Sequence, residues 1–429
     1  MAAPTVSVVV PTKTRRDAVL RLLDALARGG KMAGGFEVVV VDDGSTDDTV
    51  ARLTGREWPF ALRVVEQRRC GAAVARNAGA RVATGEVLIF LDDDVEPIGD
   101  LVAAHAAFHA SARDVVGLGD LPPRIHGSTF FAIMLRSWWD ETLRSVRRTG
   151  HRYSYRDLLS GHFSIRRTVF ERVGGFDETL RCREDYELGY RLVSAGIPLH
   201  SVPDAAAWHH DSTDLAKAFT RKLDEGEADV RLLRRHPALA SSLPLSVWDW
   251  RPRVQRLLGR FAWEAPRAGA VVAAVLTACL PMLEHLKFRW RWRWLLDALL
   301  GYWYWCGVAR AIGSRADLAG LIASAPAVQG PALTIDLASG LPDAVTRIDE
   351  TRPRSLRLVF GDEEIGTMAE VPGAEPLRGI HLKVILAERF RREYLRVLTA
   401  SGAVPETLAA AARCAQGAPG SDGRDVVAA

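Results

Sequence analysis

The sequence predicts an α/β fold built on a mostly parallel, doubly wound sheet, and three observations predict it. Short apolar runs alternate with segments of helical periodicity over the first hundred residues. The runs are apolar throughout rather than at every second position, as strands buried on both faces require. Helix-ending or turn-forming residues separate them, as a βαβ succession needs. Val6 to Val10 is the first strand, closed by Pro11. Arg15 to Ala27 carries Val19, Leu20, Leu22, Leu23, Ala25 and Leu26 at helical spacing and stops at Gly29-Gly30. Phe36 to Val41 is a second strand, followed by Asp42-Asp43-Gly44-Ser45 and a helix over Thr46 to Leu53. Leu62 to Val65 and Val87 to Leu91 are the third and fourth strands, with an Ala-rich helix, Ala72 to Ala83, between them.

Four regions follow along the chain. Residues 1–235 hold the α/β domain. Residues 236–330 are a helical segment with two nearly unbroken apolar stretches, Ala268 to Leu283 and Trp294 to Ala309, the second interrupted by Asp297. Residues 331–400 are a small α+β domain, with a hairpin of Leu356 to Phe360 and Ile365 to Met368 around Gly361-Asp362, then one helix from Leu377 to Leu398. Residues 401–429, rich in Ala and Gly, read as a disordered tail.

The 429 residues are 48% hydrophobic and 25% charged, which excludes wholesale disorder, and the mean hydropathy of +0.00 is too low for a polytopic membrane protein. A net charge of +4, from 56 basic and 52 acidic residues, points to no nucleic acid partner. Cys70, Cys182, Cys279, Cys306 and Cys414 are widely spaced with no CxxC pair, so neither a disulfide framework nor a zinc knuckle is expected, and the compartment implied is reducing. Met1 to Val10 lacks the basic and apolar regions of a signal peptide.

Carboxylates gather beyond the ends of two predicted strands: Asp42 and Asp43 after Val41, and Asp92, Asp93 and Asp94 after Leu91. Ligands bind at that edge of open α/β sheets. Three adjacent carboxylates repel unless a cation neutralises them, and oxygen ligands suit Mg²⁺ or Mn²⁺ shared with substrate phosphates. A solvated acidic loop is the plainer reading; two such sites after buried strands favour a functional one.

Several stretches carry a resemblance: Val6-Ser-Val-Val-Val-Pro-Thr12, Val38-Val-Val-Val-Asp-Asp-Gly-Ser-Thr-Asp47, Gly71-Ala-Ala-Val-Ala-Arg-Asn-Ala-Gly79 and Leu88-Ile-Phe-Leu-Asp-Asp-Asp94. Ser160-Gly161, Gly174-Gly-Phe-Asp177, Glu184-Asp185 and Arg191 continue it. In this order and spacing, over residues 5 to 235, they resemble the family-two glycosyltransferases, which have a GT-A fold, Rossmann-like with flanking helices, and transfer a sugar from a nucleotide donor. The resemblance implies that Pro11 and Thr12 line the nucleotide pocket with Asp43, and that Asp42 accepts a hydrogen bond from the base, most simply N3–H of uracil or thymine. A helix cap is the plainer role for Asp42. Arg76 would approach the base or diphosphate. Asp92 would face the ribose and the metal, and Asp94 would ligate the metal; Asp93 between them, counted with the nucleotide contacts, is the most dispensable of the three.

The same resemblance makes Asp185 the general base that takes the acceptor hydroxyl proton, with inversion at the anomeric carbon, although a carboxylate opening a helix can also serve only the helix dipole. In Trp208-His209-His210 one histidine would meet the metal; adjacent strand residues point to opposite faces, so at most one of His209 and His210 can. The Gln-x-x-Arg-Trp motif of processive relatives is missing; Ala218-Phe219-Thr220-Arg221-Lys222 stands there, which favours transfer of a single sugar.

Between the apolar stretches, Lys287, Arg289, Arg291 and Arg293 interleave with Trp290, Trp292 and Trp294, a mixture suited to a headgroup interface. Two full spans would place this basic connector outside, against the positive-inside bias, so a shallow or re-entrant contact at the cytoplasmic membrane face is expected, with a packed soluble hairpin as the alternative. The expected activity is transfer from a nucleoside-diphosphate sugar, UDP-linked by the weak preference of Asp42, to a hydroxyl acceptor such as a lipid-linked or cell-envelope glycan. A nucleotidyltransferase would carry a Gly-rich basic phosphate loop, which Pro11-Thr-Lys-Thr14 lacks, and a non-catalytic sugar-nucleotide-binding protein would need no Asp185.

Overall fold

A computed structural model describes residues 5–29, 35–246, 253–326 and 330–402. The chain divides into two compact units. One comprises Met1–Arg148, Tyr153–Ala327 and Pro372–Glu375; the other comprises Thr149–Arg152, Val328–Val371 and Pro376–Ala429.

The first unit is built on an eight-stranded sheet of β1 (Val6–Thr12), β2 (Glu37–Asp42), β3 (Ala61–Glu66), β4 (Val87–Leu91), β5 (Val95–Ile98), β6 (Val116–Asp120), β7 (His162–Arg166) and β8 (Leu199–His209), in the order β3-β2-β1-β4-β7-β6-β8-β5. From β3 to β4 the pairing is parallel. β7 then runs antiparallel to both β4 and β6, and β5 antiparallel to β8, so the sheet is mixed beyond its parallel β3-β2-β1-β4 half. This is the α/β, GT-A type of sheet that the resemblance implied. Alternation along each strand feeds two cores. Val8, Val10, Val38, Val40, Ile89 and Leu91 face one side, and Val9, Val39, Val41, Leu88 and Phe90 face the other.

Helices cover both faces: α1 (Arg16–Arg28), α2 (Thr49–Thr54), α3 (Ala72–Val82), α4 (Leu101–Ser111), α5 (Phe130–Arg147), α6 (Arg167–Arg172) and α7 (Glu184–Ser194). α1 presents Val19, Leu22, Leu23, Ala25 and Leu26 to the sheet. α3 lies close because Gly79 leaves its backbone against Val9, where a Cβ would collide with the valine side chain.

α8 (Leu215–Arg235), α9 (Arg253–Glu264), α10 (Pro266–His285), α11 (Arg289–Ile312) and α12 (Arg315–Ala323) complete this unit around their own core. α8 and α11 cross at two glycines. A Cβ on Gly226 would strike the Tyr304 carbonyl, and one on Gly307 the Leu223 carbonyl. The apolar stretch from Trp294 to Ala309 is therefore a core helix, with Leu295, Leu296, Leu299, Tyr302, Trp305 and Val308 buried. Its apolarity comes from α8 and α9 rather than from a membrane, which removes half of the expected lipid-facing hairpin. α10 differs: among the described residues it is the one helix long and apolar enough to cross a bilayer, and only 17% of its most apolar window is buried.

The second unit has a three-stranded sheet, β9 (Leu333–Asp336), β10 (Leu356–Phe360) and β11 (Glu363–Met368), ordered β11-β10-β9, with α13 (Leu341–Thr351), α14 (Gly379–Glu388) and α15 (Arg391–Ala400). The expected hairpin is present, turning at Gly361 with φ 58°. The single helix expected over Leu377 to Leu398 is two, because Phe390 leaves the helical path and packs its ring against Gly366 of the hairpin. The tail expected over 401–429 lies, from residue 403 on, outside the described residues.

Candidate active site

Parallel register aligns Pro11 with Val41 and Thr12 with Asp42 at the C-terminal edge of β1 and β2. Asp42 Oδ2 accepts from the Ser45 backbone N–H at 3.0 Å, while its Oδ1 is buried without a protein partner. Asp43 is spent on the protein itself. It accepts from Gln67 Nε2 (2.8 Å), Cys70 N (2.7 Å) and Gly71 N (3.0 Å), fixing the loop that enters α3. Gly71 holds φ 102°, open to glycine alone, so this loop can turn directly into the helix.

The carboxylates after β4 divide their work. Arg76, brought to the edge by α3, is buried and donates from Nη2 to Asp92 Oδ1 (2.6 Å) and from Nη1 to Glu184 Oε1 (2.8 Å). Arg76, expected to approach the base or diphosphate, here bridges β4 and the start of α7. Burial works against the charge on Asp92, but Arg76, His209 and Arg15 outweigh it and hold the carboxyl below its usual range. Asp93, expected to be dispensable, is the buried one: it accepts from Thr12 Oγ1 (2.8 Å) and Arg15 Nη1 (2.6 Å), joining β4 to β1. Burial, reinforced by Asp94 and Asp92 against the pull of Arg15 and Thr12, pushes it up to about 7. Asp94 takes Arg15 Nη2 at 3.0 Å and stands 3.6 Å from His209 Nε2.

The two histidines separate as strand geometry requires. His209, paired with Val95 across β8 and β5, faces Asp94 and meets the Trp139 ring edge-on at 4.9 Å, with its Nδ1 buried and unpartnered. His210 turns to Glu96, 2.7 Å from Oε2. Asp92, Asp94 and His209 offer oxygen and imidazole donors of the kind Mg²⁺ or Mn²⁺ accepts, with His209 Nε2 the nitrogen that faces Asp94. Among the described residues no group of three or more His, Cys, Asp or Glu side chains is placed to hold a metal ion, so such an ion would need phosphate oxygens to fill its shell.

Glu184 and Asp185 open α7. Among the described residues Asp185 accepts only from its neighbour's backbone, Tyr186 N at 2.8 Å. Burial, then Glu184, pushes its carboxyl up to about 6, against the Tyr186 N–H, Arg183 and Arg76. Arg191, one turn before the end of α7, grips Glu187 and the Val173 and Gly175 carbonyls, so the Gly174–Asp177 loop braces the helix. Sequence reasoning missed Arg15 and Arg183 and gave Glu184 no partner. Arg15 had a signal, three residues past Thr12 at the end of the first strand. Arg183 had none, since its partners lie on α8.

Residues 7–174 match the family described as Glycosyl transferase family 2. Over 283 residues the chain is 34% identical to validoxylamine A glucosyltransferase of Streptomyces hygroscopicus subsp. jinggangensis, covering 57% of this chain and 63% of that protein. It is 29% identical over 249 residues to pre-mycofactocin glycosyltransferase of Mycobacterium tuberculosis, covering 56% of this chain and 50% of the relative. The chain thus spans one half to two thirds of these relatives. A solved mannosyltransferase of Pyrobaculum calidifontis, in complex with GDP-Man and Mn²⁺, is 22% identical with a TM-score of 0.46, over 70% of this chain and 86% of its own. The family pattern runs from β1 through α6, and the similarity to these relatives covers more than half of this chain.

Proposed function

We propose that this chain transfers a single sugar from a nucleoside-diphosphate sugar, most simply a UDP-sugar, to an acceptor hydroxyl with inversion. The observation that carries this reading is Asp185, a carboxyl raised to about 6 with one hydrogen bond, tied through Glu184 and Arg76 to the donor end of the sheet at Asp92. A base of that affinity is ionised at neutral pH and still takes a proton readily. The acceptor hydroxyl gives its proton to Asp185 as its oxygen bonds to the anomeric carbon. The bond from that carbon to the diphosphate oxygen breaks on the opposite face, and the nucleoside diphosphate leaves with the electron pair. Asp42 Oδ1, buried and unpartnered, suits a ring N–H such as that of uracil. Bound by Asp92, Asp94 and His209, Mg²⁺ or Mn²⁺ would offset charge on the departing diphosphate. Release of nucleoside diphosphate, measured over a panel of nucleotide sugars with Mn²⁺ and with EDTA, tests the reading. Turnover of a UDP-sugar that EDTA abolishes is expected; full turnover in EDTA, or release from none of the panel, would contradict it.

The acceptor we infer is one presented at the cytoplasmic face of a membrane, such as a lipid-linked glycan. The outward face of α10 supports this: Val271, Val275 and Met282 are 55–66% exposed, and the chain continues through exposed Leu286, Phe288 and Trp290. Arg293 is tied to Asp297 at 3.0 Å, leaving Lys287, Arg289 and Arg291 to meet anionic headgroups.

A further inference from the structure

The residue before the Glu184-Asp185 pair is placed by a device that the transfer reaction, as described so far, does not use. Arg183 holds φ 63°, the left-handed region that residues with a Cβ seldom adopt. Its guanidinium runs away from the cleft into a buried set of charges on α8. Nη2 reaches Glu225 Oε2 at 3.2 Å, Nε stands 3.4 Å from Asp229 Oδ1, and Cζ lies 4.3 Å over the Tyr186 ring. Asp229 is fully buried, and its other oxygen accepts from Tyr304 Oη of α11 at 2.7 Å. Glu225 is also held by Lys222 (2.7 Å) and Arg221 (3.3 Å). The close glycine crossing of α8 and α11 is what lets Tyr304 reach Asp229.

We infer that Arg183 is a positioning residue for the catalytic base: anchored by Glu225 and Asp229, and through Tyr304 by α11, it fixes the left-handed turn that starts α7 and so sets where the Asp185 carboxylate stands and what charge it feels. The inference rests on Asp185 being the base. The balance of charge agrees. Burial opposes ionisation of Glu225, yet Arg183, Lys222 and Arg221 hold its carboxyl at about 2. Burial raises Asp229 against Arg183 and Tyr304. Asp185 itself is faced by Glu184 and Arg183 beside it, Arg76 from α3, Arg221 from α8, and the Cys182 thiol and Tyr186 phenol on its own segment. Arg183 is the nearest of these cations along the chain. The helices after the sheet thereby become part of the frame of the reaction.

The test is donor and acceptor kinetics of the full chain across pH for wild type, Arg183→Met, Arg183→Lys and Asp185→Asn. Arg183→Met should lower kcat at least tenfold at unchanged donor KM and move the acid limb of the kcat profile up by about one pH unit, because the base loses a nearby cation. Arg183→Lys, keeping the charge without the fork, should restore the limb more fully than the rate. If leaving Asp229 unpaired prevents Arg183→Met from folding, Arg183→Met with Asp229→Asn removes the stranded charge and is read in the same way. A folded variant with wild-type kcat and an unmoved acid limb would overturn the role of Arg183 while leaving Asp185 in place, provided Asp185→Asn is inactive. Wild-type turnover in Asp185→Asn would overturn both.

Discussion

Asp185 and Asp93 are both held above the ordinary carboxylate range, by burial first, yet they do different things. Asp93 has two side-chain donors, Thr12 and Arg15, and is a joint between β1 and β4. Asp185 has a single backbone donor and is left poised. That poise costs stability, with a definite sign. The folded chain keeps a proton on Asp185 up to about 6, whereas the unfolded chain loses it near the ordinary carboxyl value of 3.8. Between those values the native state binds more protons, so stability falls as pH rises through the window and the loss is complete above it. At 1.36 kcal/mol per unit the loss is about 2 to 3 kcal/mol. Asp185→Asn should therefore unfold a few degrees higher than wild type at about pH 8, with a smaller gain at about pH 5. A difference that does not change with pH, followed by thermal denaturation, would contradict the buried, ionised carboxylate.

At the scale of elements, the strands and helices of the parallel half were legible because each obeys a local rule: wholly apolar runs for buried strands, and 3.6-residue spacing in α1. The two apolar stretches after Trp263 were not separable by composition. Each is long enough to suggest lipid, and only packing distinguishes them. α11 spends its apolar residues on α8 and α9, whereas α10 turns Val271, Val275 and Met282 outward. The break at Phe390 was hidden for the same reason, since it depends on space beside Gly366. α10 with the connector after it is then the element to test for membrane contact. Lys287, Arg289 and Arg291, which lie over the Phe130 and Phe288 rings, would contribute up to about 3 kcal/mol at an anionic surface before entropy costs. Val275→Glu with Met282→Glu should abolish sedimentation with phosphatidylglycerol-rich vesicles and leave donor turnover in solution unchanged, as both side chains are exposed on the outward face of α10. Wild-type protein that stays in the supernatant at low salt would sink the membrane reading.

Across the whole molecule, residues far apart in sequence share one cleft because the sheet order brings the ends of β1, β2 and β4 side by side and folds β8 back along β5. Asp42, Asp92, Asp94 and Asp185 could be picked out as motif residues. The division of labour between Asp92 and Asp94 could not, because it is set by partners distant in sequence, as in the Arg76 bridge, 16 residues from Asp92 and 108 from Glu184. The same holds for His209 and His210: strand alternation said that one would face the acids, and only the pairing of β8 with β5 selects His209. In the proposed reaction Asp185 removes the acceptor proton while donor binding is carried by other loops. Steady-state kinetics of Asp185→Asn with the acceptor saturating separate the two roles. A kcat lower by about 10² to 10⁴ at an unchanged donor KM is expected; an unchanged kcat with a collapsed donor affinity would contradict the role of Asp185 as base.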